Sequence, residues 1–374
     1  MKQLYKERLK KLFLNDIFSL FIITRVILFL IAYFSTLVII KGSMYGLPHS
    51  FLDIFLRWDA QFYMSIVYEG YTYMPGRVSN VVYFPLYPYL IKAIYFFTGY
   101  ARIVGHVISN LALLLAAVYL YKLIKLDYED DEISMKAVFY LFIYPTNIFF
   151  SIIYADSLFL FFTLACFYYA RKKNFLYVSI LGFLLALTKN LGVFIIFPVL
   201  IEYFDINFGN IKISLNKIKE DIFYLLLIPA GLILHMLFLY IKFNDPLLFA
   251  HAQKEFGRVF TTITTTLNSI NNYPIFYQYL FAGFLFFAIF MLAYAFYKKV
   301  RLSYLVFSLI SMYIYLSANI LESIPRYFAL LFPIYISMAL LGKKYKILDY
   351  FFIIASISLM TIITILLING YWMV

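Results

Sequence analysis

Residues 17–40 read IFSLFIITRVILFLIAYFSTLVII, an apolar run interrupted by one charge, Arg25. As a helix this run measures about 36 Å, enough to cross the roughly 30 Å hydrocarbon core of a bilayer. The basic start MKQLYKERLKK precedes it, and no small-residue cleavage site follows. It therefore reads as an uncleaved signal-anchor helix, with residues 1–16 as a cytoplasmic basic N-terminus. Further apolar runs lie at 104–121, 137–153, 157–170, 175–188, 191–204, 222–241, 276–297, 302–320, 327–341 and 348–370. The expectation is an all-α polytopic membrane protein, a single domain over 1–374 with about 11 transmembrane helices.

Composition agrees with that reading. Of the 374 residues, 64% are hydrophobic and 13% charged, and the mean hydropathy is +0.87. A soluble domain carries roughly 45–50% apolar and about 25% charged residues, because water must wet its surface. The figures speak against a soluble enzyme, a disordered scaffold and a disulfide-stapled secreted domain. Continuous rather than alternating apolar runs speak against a transmembrane barrel. The single cysteine, Cys166, reads as a small buried packing residue, and the four histidines form no ligand-like cluster. No metal and no cofactor is expected.

The net charge of +12 is explained by topology. With the N-terminus inside, every cytoplasmic loop carries a tight basic cluster: Lys10 and Lys11, Lys122 and Lys125, Arg171 to Lys173, Lys212 to Lys219, Lys298 to Arg301, and Lys343 to Lys346. The positive-inside rule predicts that pattern, so nucleic-acid binding is not needed to account for the charge. The acidic run DYEDDE (127–132) reads as a solvated cytoplasmic turn, and 205–220 as a cytoplasmic connector.

The outer face then collects the unusual polar residues. The long segment 41–103 holds RWDAQFYMSIVYEGY (57–71) and VVYFPLYPYL (81–90), apolar patches too short or too proline-broken to span. It reads as interfacial or re-entrant helices. The other stations are YADS (154–157) with Asp156, LTKN (187–190) with Lys189, NDPLLFAHAQKEFGR (244–258) and ESIPR (322–326). Asp59, next to Arg57 and Trp58, has a local cation and an aromatic wall, a setting that suits a general base as well as a loop carboxylate. Arg326 either snorkels to headgroups or forks onto phosphate oxygens, with Pro325 fixing its approach. Lys189 is either part of a turn or a second cation of that face. His251 and Gln253, in the segment that begins with Asp245, read as structural hydrogen-bonding groups, and Arg258 as a partner of lipid phosphate or of headgroups in general. No phosphate-cradling glycine loop is present. An activated group would therefore arrive on a lipid carrier.

These motifs resemble the PIG-V family, the second mannosyltransferases of GPI-anchor assembly and their prokaryotic relatives. RWDA with FPLYP is similar to the family's first outer loop. VISNLALLLA (107–116), PTNIFFSIIYADSLFL (145–160) and LGFLLALTKNLGVFIIFPVLIEY (181–203) are similar to its middle helices. NDPLLFAHAQKEFGR is similar to its DPLAF…AQ…WGR stretch, and SIPRYFALLFPIY (323–335) to its PRY…FP helix. The departures are Phe256 for Trp, Lys189 for Arg and Asp156 for Glu; the Lys loses the planar fork of an Arg.

The resemblance implies a GT-C-like helical bundle that takes a hexose, usually mannose, from a polyprenyl- or dolichyl-phosphate sugar and passes it to a glycolipid or glycan acceptor among the membrane lipids. It implies Asp59 as the base of an inverting attack, Arg326 with Lys189 or Arg258 on the leaving phosphate, and Arg57 positioning the Asp59 loop. A transporter or flippase for a lipid-linked sugar is the rival, and a non-catalytic accessory subunit is another. The Tyr-, Phe-, Lys- and Ile-rich usage favours a prokaryotic cell membrane over the endoplasmic reticulum.

Overall fold

Helix follows helix along the chain because the apolar runs contain almost no helix-breaking residues, and the breaks fall where they do. The computed structural model describes residues 2–38, 51–209 and 219–371, with the backbone alone for 2–14. Residues 41–50 of the outer loop, and 210–218 of the cytoplasmic connector with Lys212 and Lys217, lie outside the described residues. The helices are α1 (Lys2–Val38), α2 (Asp59–Tyr68), α3 (Leu86–Thr98), α4 (Ala101–Tyr128), α5 (Asp131–Ile143), α6 (Asp156–Arg171), α7 (Phe175–Thr188) and α8 (Ile196–Tyr203). They continue with α9 (Leu227–Phe243), α10 (Leu248–His251), α11 (Ile263–Asn268), α12 (Ile275–Tyr297), α13 (Leu302–Leu316), α14 (Ile324–Phe328), α15 (Pro333–Lys344) and α16 (Lys346–Ile368).

Among the described residues, five stretches are long and apolar enough to cross a membrane: Asn15–Val38, Ala101–Tyr128, Glu220–Phe243, Ile275–Tyr297 and Lys346–Ile368. The expected count of about 11 is not reached by length. The longest of the other helices is α6, at 16 residues, or about 24 Å. Two expected spans are broken by proline. The run 137–153 stops at Ile143, ahead of Pro145, and 327–341 is split between α14 and α15, which Pro333 opens.

The first of those breaks explains Arg25. Pro145 has no N–H, so the carbonyl of Leu141 loses its helical partner. Asn147 Nδ2 donates to that carbonyl at 2.6 Å. Arg25 reaches across from α1, donating Nη2 to Phe142 O at 2.9 Å and Nη1 to Ser151 Oγ at 2.5 Å. A charge inside an apolar span is thus the cap of a neighbouring broken helix. It holds residues 144–155 as a wholly buried loop.

Around that loop, α4 packs between α5 and α6, α7 lies between α6 and α9, and α15 is wedged among α5, α12 and α16. The α7–α9 approach depends on small residues. A Cβ on Gly231 would sit 2.5 Å from Phe183 O, and one on Gly182 would sit 2.6 Å from Ile228. The buried Cys166 packs with its Sγ 3.7 Å from Val178 O.

One end of the bundle is tied by ion pairs. Arg171 donates two bonds to Asp127 Oδ1 at 3.0 and 2.8 Å, and Tyr304 donates to Asp127 Oδ2 at 2.7 Å. Arg301 forks onto Glu202 at 3.0 and 3.1 Å, and Lys136 meets Asp349 at 2.5 Å. The acidic run 127–132 is therefore not simply a solvated turn. Its first residue joins α4, α6 and α13, because the basic helix ends there supply partners.

Candidate active site

The opposite end of the bundle brings together residues far apart in sequence. Trp58 adopts φ 50° and ψ −116°, a left-handed conformation that costs about 1–3 kcal/mol for a residue with a side chain. It persists because both neighbours are held. Arg57 Nε donates to Ile368 O at the end of α16 at 3.1 Å, and the Tyr154 hydroxyl donates to Arg57 O at 3.2 Å while accepting from Asp59 N at 3.3 Å. That sharp turn makes Asp59 the first residue of α2, where the helix dipole favours a carboxylate.

Asp59 is mostly buried and fully engaged. Its Oδ1 accepts from the Tyr83 hydroxyl at 2.8 Å, and its Oδ2 accepts from Arg326 Nη1 at 2.7 Å. Burial alone would raise its pKa. The charges of Arg326 and Arg258, and the hydrogen bonds from Arg326 and Tyr83, outweigh burial and hold the carboxyl below the usual carboxylate range.

Arg326 sits on α14, which Thr146 pins to the buried loop by donating Oγ1 to Pro325 O at 3.1 Å. Its side chain is 4% exposed, and the guanidinium lies over the rings of Tyr327, Tyr154 and Phe149, at 4.8, 5.1 and 5.6 Å. Nη2 donates to the Tyr327 hydroxyl at 3.2 Å. Nε stands 3.8 Å from Asp156 Oδ1 and makes no hydrogen bond.

Asp156 opens α6 and accepts from Lys189 Nζ at 2.8 Å. Lys189 follows α7, with the 3-10 turn Asn190–Ile195 folding back over the helix end. Gly192 makes that fold-back possible, because a Cβ there would sit 2.2 Å from Leu185 O. Gly192→Ala is therefore expected to push the turn off α7, lowering stability by about 1–3 kcal/mol and displacing Lys189. Thermal unfolding in detergent, beside wild type, checks it.

Arg258 completes the set. It follows Gly257, at φ +72°, and its guanidinium reaches Gln253 Oε1 at 3.5 Å and Ser323 Oγ at 3.4 Å. Asp59, Asp156, Lys189, Gln253, Arg258 and Arg326 line one cleft of about 80 Å³. Its three cations exceed its two carboxylates, so it favours an anion.

Asp245 and His251 stand elsewhere. They pair with each other at 2.7 Å, His251 largely exposed, and do not line the cleft. The site also uses tyrosines that the sequence does not single out: Tyr63, Tyr83, Tyr315 and Tyr327 line the cleft, and Tyr154 supports the Asp59 turn. Tyr63, Tyr83, Tyr154 and Tyr327 lie inside marked stretches (RWDAQFYMSIVYEGY, VVYFPLYPYL, YADS and PRY), so a local signal exists for them; nothing local marks Tyr315. Among the described residues, no three His, Cys, Asp or Glu side chains gather as metal ligands.

The family model described as Mannosyltransferase (PIG-V) matches residues 43–244, more than half of the chain. The chain belongs to the PIG-V family. The matched region contains Asp59, Asp156 and Lys189; Arg258 and Arg326 lie beyond it. No curated protein matches this chain. Among solved structures, it is similar to the Archaeoglobus fulgidus oligosaccharyltransferase in complex with Zn and sulfate, with 17% identity and a TM-score of 0.47, over 93% of this chain and 53% of that one. It is also similar to the archaeal oligosaccharyltransferase from Archaeoglobus fulgidus in complex with an inhibitory peptide and a dolichol-phosphate, with 14% identity and a TM-score of 0.45, over 94% and 56%. The chain thus spans little more than half the length of these proteins. With its apolar helices, this member of the PIG-V family is an integral membrane protein.

Proposed function

We propose that the chain is a GT-C-type glycosyltransferase that moves a hexose, mannose by family, from a polyprenyl-phosphate carrier to a hydroxyl of a lipid-linked or cell-surface glycan. The observation that carries this reading is the cleft itself, in which one carboxylate, Asp59, faces the cation cluster of Arg326, Lys189 and Arg258. Transfer from a lipid phosphate needs both parts, a base for the acceptor and positive charge for the leaving group.

The acceptor hydroxyl gives its proton to Asp59 while its oxygen bonds to the anomeric carbon. The bond from that carbon to the phosphate oxygen breaks, and the electron pair leaves on the phosphate. Attack opposite the leaving group inverts the anomeric centre. Arg326, Lys189 and Arg258 stabilise the charge that develops on the phosphate.

Asp59 is a weak base while Arg326 holds it, because a carboxylate's basicity falls with its pKa. A donor phosphate competes for the same guanidinium. Binding of the donor thus draws Arg326 partly away and raises the basicity of Asp59 when an acceptor can be used. The chemistry is assigned to the non-cytoplasmic side of a prokaryotic cell membrane, opposite the basic helix ends.

The test is transfer of labelled mannose into membrane extracts from polyprenyl-phosphate mannose, beside a nucleoside-diphosphate mannose. Label from the lipid donor alone is the expected result, and the product identifies the acceptor. Equal use of the nucleotide sugar, or no transfer from a panel of polyprenyl-phosphate hexoses with intact protein, rejects the reading.

A further inference from the structure

Among the described residues, one fully buried hydroxyl in the cleft has no hydrogen-bond partner. Tyr315, near the end of α13, is buried, lines the cleft beside Tyr327 and Arg326, and its hydroxyl makes no hydrogen bond. A buried hydroxyl left unsatisfied costs stability, and most such groups in folded proteins find a protein or ligand partner. Its ring is held in place by a near-parallel stack on Tyr327, with centroids 4.2 Å apart and planes 13° apart. The hydroxyl is therefore pre-oriented.

Chemistry narrows what it meets. A phenol hydroxyl is neutral and both donates and accepts. The phosphate of a lipid-linked donor is already matched by Lys189, Arg258 and Arg326, which line the same cleft. A sugar hydroxyl, also neutral and also a donor and acceptor, is the complementary group.

We infer that Tyr315 is a specificity-determining residue that hydrogen-bonds one hydroxyl of the transferred sugar. The inference rests on the reading of the cleft as the site of a lipid-phosphate sugar. It adds that the enzyme selects its hexose through a tyrosine outside every recognisable motif.

The test uses full-length wild type and Tyr315→Phe in detergent, with polyprenyl-phosphate mannose and its 2-, 3-, 4- and 6-deoxy analogues. The Phe variant keeps the ring stack, and matching thermal unfolding confirms that it folds. Wild type is expected to use one deoxy analogue about 5- to 100-fold less well than mannose. Tyr315→Phe is expected to show the same loss on mannose, but less than about twofold further loss on that analogue.

An equal loss on mannose and every analogue means that the hydroxyl acts on the phosphate or on packing, and overturns the inference. No loss on any donor also overturns it. If wild type transfers from no polyprenyl-phosphate sugar, the functional reading fails first, which is distinguishable because the variant plays no part in that result.

Discussion

Asp59→Asn is expected to lower kcat for transfer by about 10²–10⁴-fold, the usual worth of a general base, with the protein still folded and still binding donor. The amide has the shape of the carboxylate, and its oxygen can still accept from the Tyr83 hydroxyl, now at 2.8 Å from Oδ1. It cannot take a proton from the acceptor. It also releases Arg326, whose bond to Oδ2 at 2.7 Å would become a contact between two donors. The donor KM should therefore stay level or fall while kcat collapses. A variant that merely unfolded would lose both, and equal transfer by the two proteins would remove Asp59 as the base.

The pH profile carries the same argument. The Asp59 carboxyl is held below the usual range, so its folded-state value lies below its unfolded one of about 3.9. The stabilising contribution of the pair is then fully present above about pH 3.9 and is lost as pH falls through the lower folded value. Between pH 5 and 8, kcat/KM for the donor should show no acid limb from this group. The kcat profile, which reports the donor-bound state, should show its acid limb at higher pH than kcat/KM does. An acid limb in kcat/KM near pH 6–7 that vanishes in Asp59→Asn would contradict the observed ion pair.

Arg326→Leu should be the most damaging substitution for the fold of the site. It would leave Asp59 and Asp156 buried with one fewer cation, a change worth about 3–5 kcal/mol when a buried pair is broken. Arg326→Lys separates charge from geometry. A lysine keeps the charge but loses the fork that reaches both Asp59 and the Tyr327 hydroxyl. We expect it to fold, and to lower kcat by about 10²-fold through weaker stabilisation of the leaving phosphate. Thermal unfolding and transfer rates on both variants check this. Wild-type turnover by Arg326→Lys would mean that the guanidinium geometry plays no part in the reaction.

Much of this protein was legible from local sequence because apolarity is a local property. An uninterrupted run such as 17–40 cannot be wetted in any conformation, so membrane character and helix positions follow without tertiary information. RWDA was legible for a similar reason, since a charge pair beside Trp inside an aromatic segment stands out against its neighbours. Arg25 was legible only as an oddity. Its meaning depends on a helix more than a hundred residues away ending ahead of Pro145, which leaves the Phe142 carbonyl in need of a donor, and no local pattern records that.

By itself, then, the sequence determined that the chain lives in a bilayer, that it is helical, and that Asp59 is the residue to ask about. Only the tertiary structure decided which runs are too short or too proline-broken to count by length as spans, since hydropathy does not see where a backbone hydrogen bond fails. Only it decided that Asp59 and Arg326, 267 positions apart, are partners, with Asp245 and His251 left outside. Only it exposed Tyr315, whose ring resembles many other lipid-compatible tyrosines until folding leaves its hydroxyl alone in a charged cleft. Burial and hydropathy are summed residue by residue, whereas a site is a set of distances, and distances exist only once the helices have packed.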